Sequence, residues 1–364
     1  MDFYPFCFPS PTPNLLGIVM RTLLPCVTTN SVKVFFGLLF LGLSLEAGLS
    51  AQEPATANGD SKSKAAKAPP ERPTPTYADV AYGTDSDRQK LDFWKAESSR
   101  PTPVVMLIHG GGWTSGDKTG YGNKPIKTYL QAGISVAAIN YRFIPQAMVQ
   151  EIVPPVKACL TDAARALQTI RSKASEWNID PNRIGATGSS AGACTSLWLA
   201  LHDDLADKGN AEPVARESTR LQAVAVTGAQ TSLDPKQLRN WISNSIYGGH
   251  AFGFATKGRS RAEEFELLLE NREQVLPWIL EYSPIELVTK DDPSLFLEYP
   301  NQKAPPTLGG QEADPTHSAV YGIQFAERCH EVGIECIVSY PGNKHPEFNS
   351  TADYLVRKLT SKQK

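Results

Sequence analysis

The chain has little that would mark it for nucleic-acid, metal or redox work. Its 364 residues hold 36 Lys and Arg against 38 Asp and Glu, a net charge of −2. No basic stripe stands out beyond the N-terminal region, so the electrostatic footprint of a nucleic-acid binder is missing. Only 20% of residues are charged, too few for a disordered chain or a long coiled coil. Six cysteines cannot build a disulfide-dense scaffold, and none forms a C-x-x-C pair, which excludes a zinc ribbon or a thioredoxin-like site. With no H-E-x-x-H and no Cys/His ligand spacing, no metal is expected. No G-x-G-x-x-G occurs. Gly116-Asp117-Lys118-Thr119 fails as a phosphate loop because an Asp separates Gly from Lys. No cofactor is therefore implied, and no internal repeat is present.

The N-terminal region is set apart by its composition. Val34–Leu45 is an apolar run of 12 residues, preceded by Arg21 and Lys33 and followed by small residues up to Ala51. A positive flank, a short apolar run and a small-residue exit describe a signal peptide over residues 1–51. The natural start is expected at Met20. The run falls short of the roughly 20 residues a spanning helix needs, so export without stable membrane insertion is expected, with an uncleaved anchor as the alternative. Residues 52–75 contain no Val, Ile, Leu, Met, aromatic or Cys residue and hold five prolines. Such a segment cannot bury enough apolar area to offset its ordering entropy, which predicts an exposed linker. Residues 76–364 then form one folded domain.

That domain alternates strand-like and helix-like stretches. Tyr77–Tyr82 and Lys90–Ala96 read as an opening hairpin. Val104–Ile108, Ser135–Tyr141, Arg183–Thr187, Gln222–Thr227, Leu295–Tyr299 and Ile334–Tyr340 read as strands. Helical stretches cover Val156–Lys173, Ala191–His202 and the segment in which Tyr321, Phe325, Cys329 and Val332 share a face, stopped by Gly333. This order predicts an α/β domain with a mostly parallel central sheet and helices on both faces, and functional groups at the carboxyl ends of the strands. Asp234–Tyr282 lies between strands and holds Trp241, Tyr247, Phe252, Phe254 and Trp278. It reads as a helical insertion over the active site, its aromatics packing the insertion or contacting substrate.

Two strand ends carry chemistry. Gly188-Ser189-Ser190-Ala191-Gly192 is G-x-S-x-G between a strand and a helix, the context that gives the motif meaning. The glycines allow a tight turn that pushes Ser190 out at the top of the sheet, and the helix N-terminus behind it offers free N–H groups. His109-Gly110-Gly111-Gly112-Trp113 follows Val104–Ile108. Its three glycines let backbone N–H groups approach a substrate oxygen.

Together these segments resemble the α/β-hydrolases of the HGGG esterase/lipase group, hormone-sensitive-lipase-like, near the acetyl-xylan and feruloyl esterase branch. Gly116-Asp117-Lys118, Asn140-Tyr141-Arg142, Asp162–Ala166 and Asn178–Ile184 extend the likeness in order and spacing over roughly residues 76–200. Ser283-Pro284-Ile285 and Pro341–His345 extend it more loosely. The resemblance implies an α/β-hydrolase fold, a serine nucleophile, an acid after the next-to-last strand and a histidine after the last. Of the six histidines, 109, 202, 250, 317, 330 and 345, only His345 follows the final strand, so it is the expected base. His317 competes from the start of a helix, where it would line or cap the pocket. Asp314 is the expected acid, with Glu312, Glu298, Asp291 and Asp292 as alternatives. The loop that carries Asp314, Pro300–Thr316, is longer than the family's usual step, and Ala193-Cys194 stands where relatives commonly have a further Gly.

The implied chemistry is a serine esterase that cleaves carboxylic esters of acetyl or feruloyl type, including esters carried on carbohydrate. Ser190, His345 and Asp314 would be catalytic. Gly111, Gly112 and Ala191 would form the oxyanion hole, and Trp113 and His317 would contact substrate. A serine peptidase, an arylformamidase and a non-catalytic carbohydrate- or peptide-binding homologue are the alternatives. Cys329 and Cys336 are a candidate disulfide in an oxidising compartment.

Overall fold

The computed structural model describes residues 71–361. The expected signal peptide, the Met20 start and residues 52–70 of the expected linker lie outside the described residues. The last residues of that linker stretch lie against the domain. Arg72 Nη1 pairs with Asp92 Oδ2 at 2.6 Å, and Trp94 Nε1 donates to Pro73 O at 2.8 Å.

Among the described residues, eight strands form one sheet: β1 (Tyr77–Ala81), β2 (Lys90–Trp94), β3 (Thr102–Ile108), β4 (Ser135–Ile139), β5 (Ile179–Gly188), β6 (Ala223–Thr227), β7 (Ser294–Glu298) and β8 (Cys336–Ser339). Their order is β1-β2-β4-β3-β5-β6-β7-β8. β1 and β2 are antiparallel to each other, β2 is antiparallel to β4, and the remaining pairs are parallel. Every residue of β3 is buried, as its continuous apolar sequence requires of a strand covered on both faces.

Among the described residues, ten α-helices connect or flank the strands: α1 (Asn123–Gln131), α2 (Ile144–Val149), α3 (Val156–Ser172), α4 (Ala174–Trp177), α5 (Ala191–Leu201), α6 (Pro235–Trp241), α7 (Arg261–Glu270), α8 (Leu276–Tyr282), α9 (Ala319–Val332) and α10 (Thr351–Thr360). The pleat separates two cores. Val104, Met106 and Ile108 join α3, α5 and α9 on one face. Val105 and Leu107 join Ile126 and Tyr129 of α1 and Tyr354, Leu355 and Leu359 of α10 on the other. α5 is apolar on every side and buried along its whole length, as a helix between a sheet and other helices must be. α9 is capped by the Ser318 side chain, which accepts from Val320 N, and ends at Gly333 with φ +87°, the left-handed stop expected there. α6, α7 and α8 form the expected helical insertion between β6 and β7.

Candidate active site

Strand register brings the two glycine-rich turns together. β3 pairs with β5 so that Ile108 faces Gly188, and the chain leaving β3 therefore runs beside the chain leaving β5. A Cβ built on Gly192 would stand 2.0 Å from Ile108 O, and one on Gly188 2.5 Å from the same atom. The backbones of the two turns touch, and only glycine fits at either position. Ser190, between them, holds φ +53° and ψ −124°, a region that non-glycine residues rarely occupy and that concentrates at functional turns. Ser190 N donates to Thr227 O at 3.0 Å, which ties the turn to the end of β6.

The His109–Trp113 loop crosses directly in front. A Cβ on Gly110 would lie 2.6 Å from Ser189 O and 3.4 Å from Ser190 Cβ. Gly111 and Gly112 have φ +104° and +59°. Among the described residues, the N–H groups of Gly111, Gly112 and Ala191 donate to no protein acceptor, and Ala191 opens α5, where backbone donors are free. Trp113 does not line the opening. It is fully buried, and its Nε1 donates to Thr195 Oγ1 at 3.0 Å. The expected substrate contact is thus corrected: the indole supports the loop from beneath, between α5 and Tyr247 and His250 of the insertion.

The histidine that reaches Ser190 is His317. Its Nε2 lies 2.9 Å from Ser190 Oγ and its Nδ1 2.9 Å from Asp314 Oδ2. Asp314 also accepts from Thr316 N at 3.2 Å and His317 N at 3.3 Å, which fixes the carboxylate within its own turn. Gly228, just past β6, has φ +59°, and a Cβ there would stand 3.3 Å from His317 Cδ2. The bare backbone makes the space the ring occupies.

His345 makes no contact with this group. Its ring stacks on Phe348 at 5.2 Å, and its Nδ1 accepts from Glu347 N at 3.2 Å. Phe348 packs against Phe296 and Tyr354, in the core layer under α10, and carries the turn away from Ser190. The expectation of His345 as base is corrected on this geometry: the ring that reaches Ser190 is that of His317, expected only to line or cap the pocket, and it lines a cleft as well. Glu312 accepts from Gln302 Nε2 at 2.8 Å and braces the loop. Asp291 and Asp292 pair with Arg220 before β7 begins, at the amino end of that strand, whereas Ser190 follows the carboxyl end of β5. Glu298 is half-buried at the end of β7, and burial raises its pKa.

Two residues with no assigned part in the sequence also support the site. Arg88 contacts the glycine-rich loop after β3 at His109 and Gly116. His250, nearly fully buried, abuts Gly112, and among the described residues neither of its ring nitrogens has a hydrogen-bond partner. Burial, aided by the charge of Arg261, lowers its pKa to about 3 and keeps it neutral. No local sequence signal singles out either residue, since both act through tertiary contacts. Cys329 and Cys336 are neighbours and remain thiols.

The family profile BD-FAE matches residues 91–302, more than half of the chain. The chain belongs to the BD-FAE family. It is 32% identical over 126 residues to the probable carboxylic ester hydrolase LipM of Mycobacterium tuberculosis, covering 34% of this chain and 28% of that protein. The chain spans about a third or less of the length of the first curated relatives it matches. A truncated carbohydrate esterase from gut microbiota superposes with TM-score 0.58 at 18% identity, over 80% of this chain and 99% of that one. Esterase 2 of Thermogutta terrifontis superposes with TM-score 0.54 at 20% identity, over 80% and 90%. At these identities the two structures establish the α/β-hydrolase fold. The BD-FAE match stops at Gln302, before Asp314 and His317, so the acid–base segment lies beyond the matched span.

Two clefts lie beside the Ser190–His317–Asp314 group. One of about 340 Å³ runs along His109–Gly111 and Ser189. The other, about 550 Å³, is walled by Lys303, Thr307, Glu312, Asp314 and His317. A cavity of about 640 Å³ lies away from both, between the β1–β2 hairpin and α3. Its Asp162 accepts from both Gln89 and Arg142.

Proposed function

We propose that the chain is an exported serine hydrolase that cleaves carboxylic esters through an acyl-enzyme, with acetyl or feruloyl-type esters, including those carried on carbohydrate, as its substrates. The observation that carries the reading is the Ser190–His317–Asp314 series, with 2.9 Å at each step, facing three unpaired backbone N–H groups. With the proton on Nδ1 donated to Asp314, His317 Nε2 accepts the Ser190 hydroxyl proton as Oγ attacks the ester carbonyl. The N–H groups of Gly111, Gly112 and Ala191 hold the oxyanion, and such donors are worth about 3–4 kcal/mol each in related sites. His317 then gives its proton to the departing alcohol, and activation of water by the same nitrogen releases the acid. Asp314 orients the ring and stabilises its cation. The names of the relatives support ester cleavage, and the apolar run Val34–Leu45 supports export.

The test has two arms. A fluorophosphonate probe should label Ser190, and the labelled peptide identified by mass spectrometry should disappear in Ser190→Ala. A panel of acetylated sugars, feruloyl esters, aryl formamides and peptide amides should show turnover of esters alone. Labelling with cleavage of amides would move the protein to peptidase or formamidase chemistry. Absence of labelling would leave a binding protein.

A further inference from the structure

The β1–β2 hairpin carries no member of the Ser190–His317–Asp314 group, yet its turn sends Arg88 onto the oxyanion loop. The guanidinium lies over the Phe143 ring, 3.7 Å from its centroid. Nε donates to Tyr141 O at 2.8 Å and Nη2 to Gly116 O at 3.0 Å. Nη2 also stands 3.4 Å from His109 Nε2. Guanidinium nitrogens only donate, so the His109 nitrogen facing them is the acceptor. Burial, with the Arg88 charge adding to it and the Gly110 backbone opposing it, lowers His109 to about 4, and the ring is neutral at ordinary pH. A neutral imidazole carries one proton, which is then on Nδ1, 2.8 Å from Gly110 O. Nδ1–H donates to that carbonyl. The Tyr141 hydroxyl donates to the adjoining His109 O at 2.8 Å and reaches Gly110 O at 3.4 Å, holding the same stretch from the same side.

The Gly110 carbonyl and the Gly111 N–H belong to one planar trans peptide and point in opposite directions. Holding the carbonyl on the Gly116 and Tyr141 side turns the N–H the other way, where the loop passes Ser190. We propose that Arg88 is a positioning residue for ester hydrolysis, acting through the tautomer of His109 and the Gly110 carbonyl to aim the Gly111 N–H at the oxyanion. This rests on the esterase reading above. It adds a residue from outside both glycine motifs, carried on the antiparallel edge of the sheet.

The experiment is a double-mutant cycle on the full chain with a short activated ester, using Arg88→Met, Arg88→Lys, His109→Asn and the Arg88→Met/His109→Asn pair. Arg88→Met should lower kcat about 10- to 100-fold with KM within about twofold, because the contact it serves matters in the transition state. Arg88→Lys keeps a donor but loses the fork, and should fall between. Asn at 109 keeps an amide donor for Gly110 O and no longer needs Arg88 to select a tautomer. In that background Arg88→Met should cost less than about threefold. Additive losses, or a loss in KM alone, would overturn the proposal. Two-bond ¹H–¹⁵N spectra of the imidazoles give an independent readout. His109 should be a pure Nδ1–H tautomer in the wild type and mixed in Arg88→Met, and an unchanged tautomer overturns the relay. If the wild type hydrolyses no ester, the proposed function fails, and these spectra still decide the relay. If Arg88→Met does not fold, Arg88→Lys carries the same comparisons.

Discussion

The loops after β7 and β8 each deliver a histidine shortly before a helix, and only one of these reaches Ser190. The β7 loop is held from within the site. Gln230 Nε2 donates to Thr316 O at 2.7 Å, Gln302 Oε1 accepts from Ala319 N at 2.9 Å, and the Asn244 side chain exchanges bonds with Glu312 backbone atoms. The β8 loop turns back at once. Tyr340 and Asn343 exchange backbone hydrogen bonds, and Gly342 takes φ +96°. Phe348 then enters the layer beneath α10 and takes His345 with it. What separates the two histidines is the company each keeps: Phe348 packs against Phe296 and Tyr354 and holds the His345 ring stacked on it, whereas Ser318 caps α9 and leaves His317 facing Ser190.

The sharpest way to break this comparison is to remove each ring in turn. His317→Ala should lower kcat about 10³-fold or more with an ester substrate, while His345→Ala stays within about twofold. The opposite result would return the role of base to the loop after β8. Asp314→Asn should cost about 10²- to 10⁴-fold, since it removes the charge that stabilises the imidazole cation. Glu312→Gln keeps its bonds in outline and should cost under about tenfold, with steady-state kinetics as the readout for both.

A smaller contrast lies in two glycines. Gly228→Ala adds a Cβ 3.3 Å from His317 at φ +59° and should lower kcat about tenfold by displacing the ring. Gly342→Ala, at φ +96° with open space around it, should cost about 1 kcal/mol of stability and leave kcat unchanged. Equal effects on kcat would erase the distinction. The smallest effect expected is at Glu298, between the two loops. Burial raises its folded pKa, opposed by the Thr351 backbone and Lys344. A raised carboxyl value means the folded state binds the proton more tightly, so stability is lost as pH rises through that value. Glu298→Gln should therefore raise Tm by about 1–2 °C at pH 7 and leave it unchanged at pH 4, as followed by calorimetry.

The strands were legible because short apolar runs bounded by turn residues leave few alternatives, and Ser190 because a glycine-flanked serine between strand and helix has a strong local signature. Asp314 was legible from its resemblance to the family's acid-plus-helix segment. His317 was not, because the rule that the base follows the last strand is a rule about loops, and the course of Pro300–Ser318 depends on distant partners such as Gln230 and Asn244. Trp113 failed for the same reason: an aromatic after a glycine loop reads equally as a platform or a buried support, and the Thr195 bond that separates the two is tertiary. The amphipathic helices α1 and α10 were missed, their polar faces diluting short apolar stripes. An anchor for His345 lay in α10.

Asp314 and His317 are three residues apart, while Ser190 and His317 are 127 apart. Asp314 and His317 are thus brought together by one turn, which Gln230 steadies at Thr316, and the docking of that turn against Ser190 is the longer-range matter. The edge strand β8 is thereby relieved of a catalytic duty. An insertion between Gly342 and Lys344 should be inherited or engineered without loss of turnover, giving this scaffold a free display site one strand away from its chemistry.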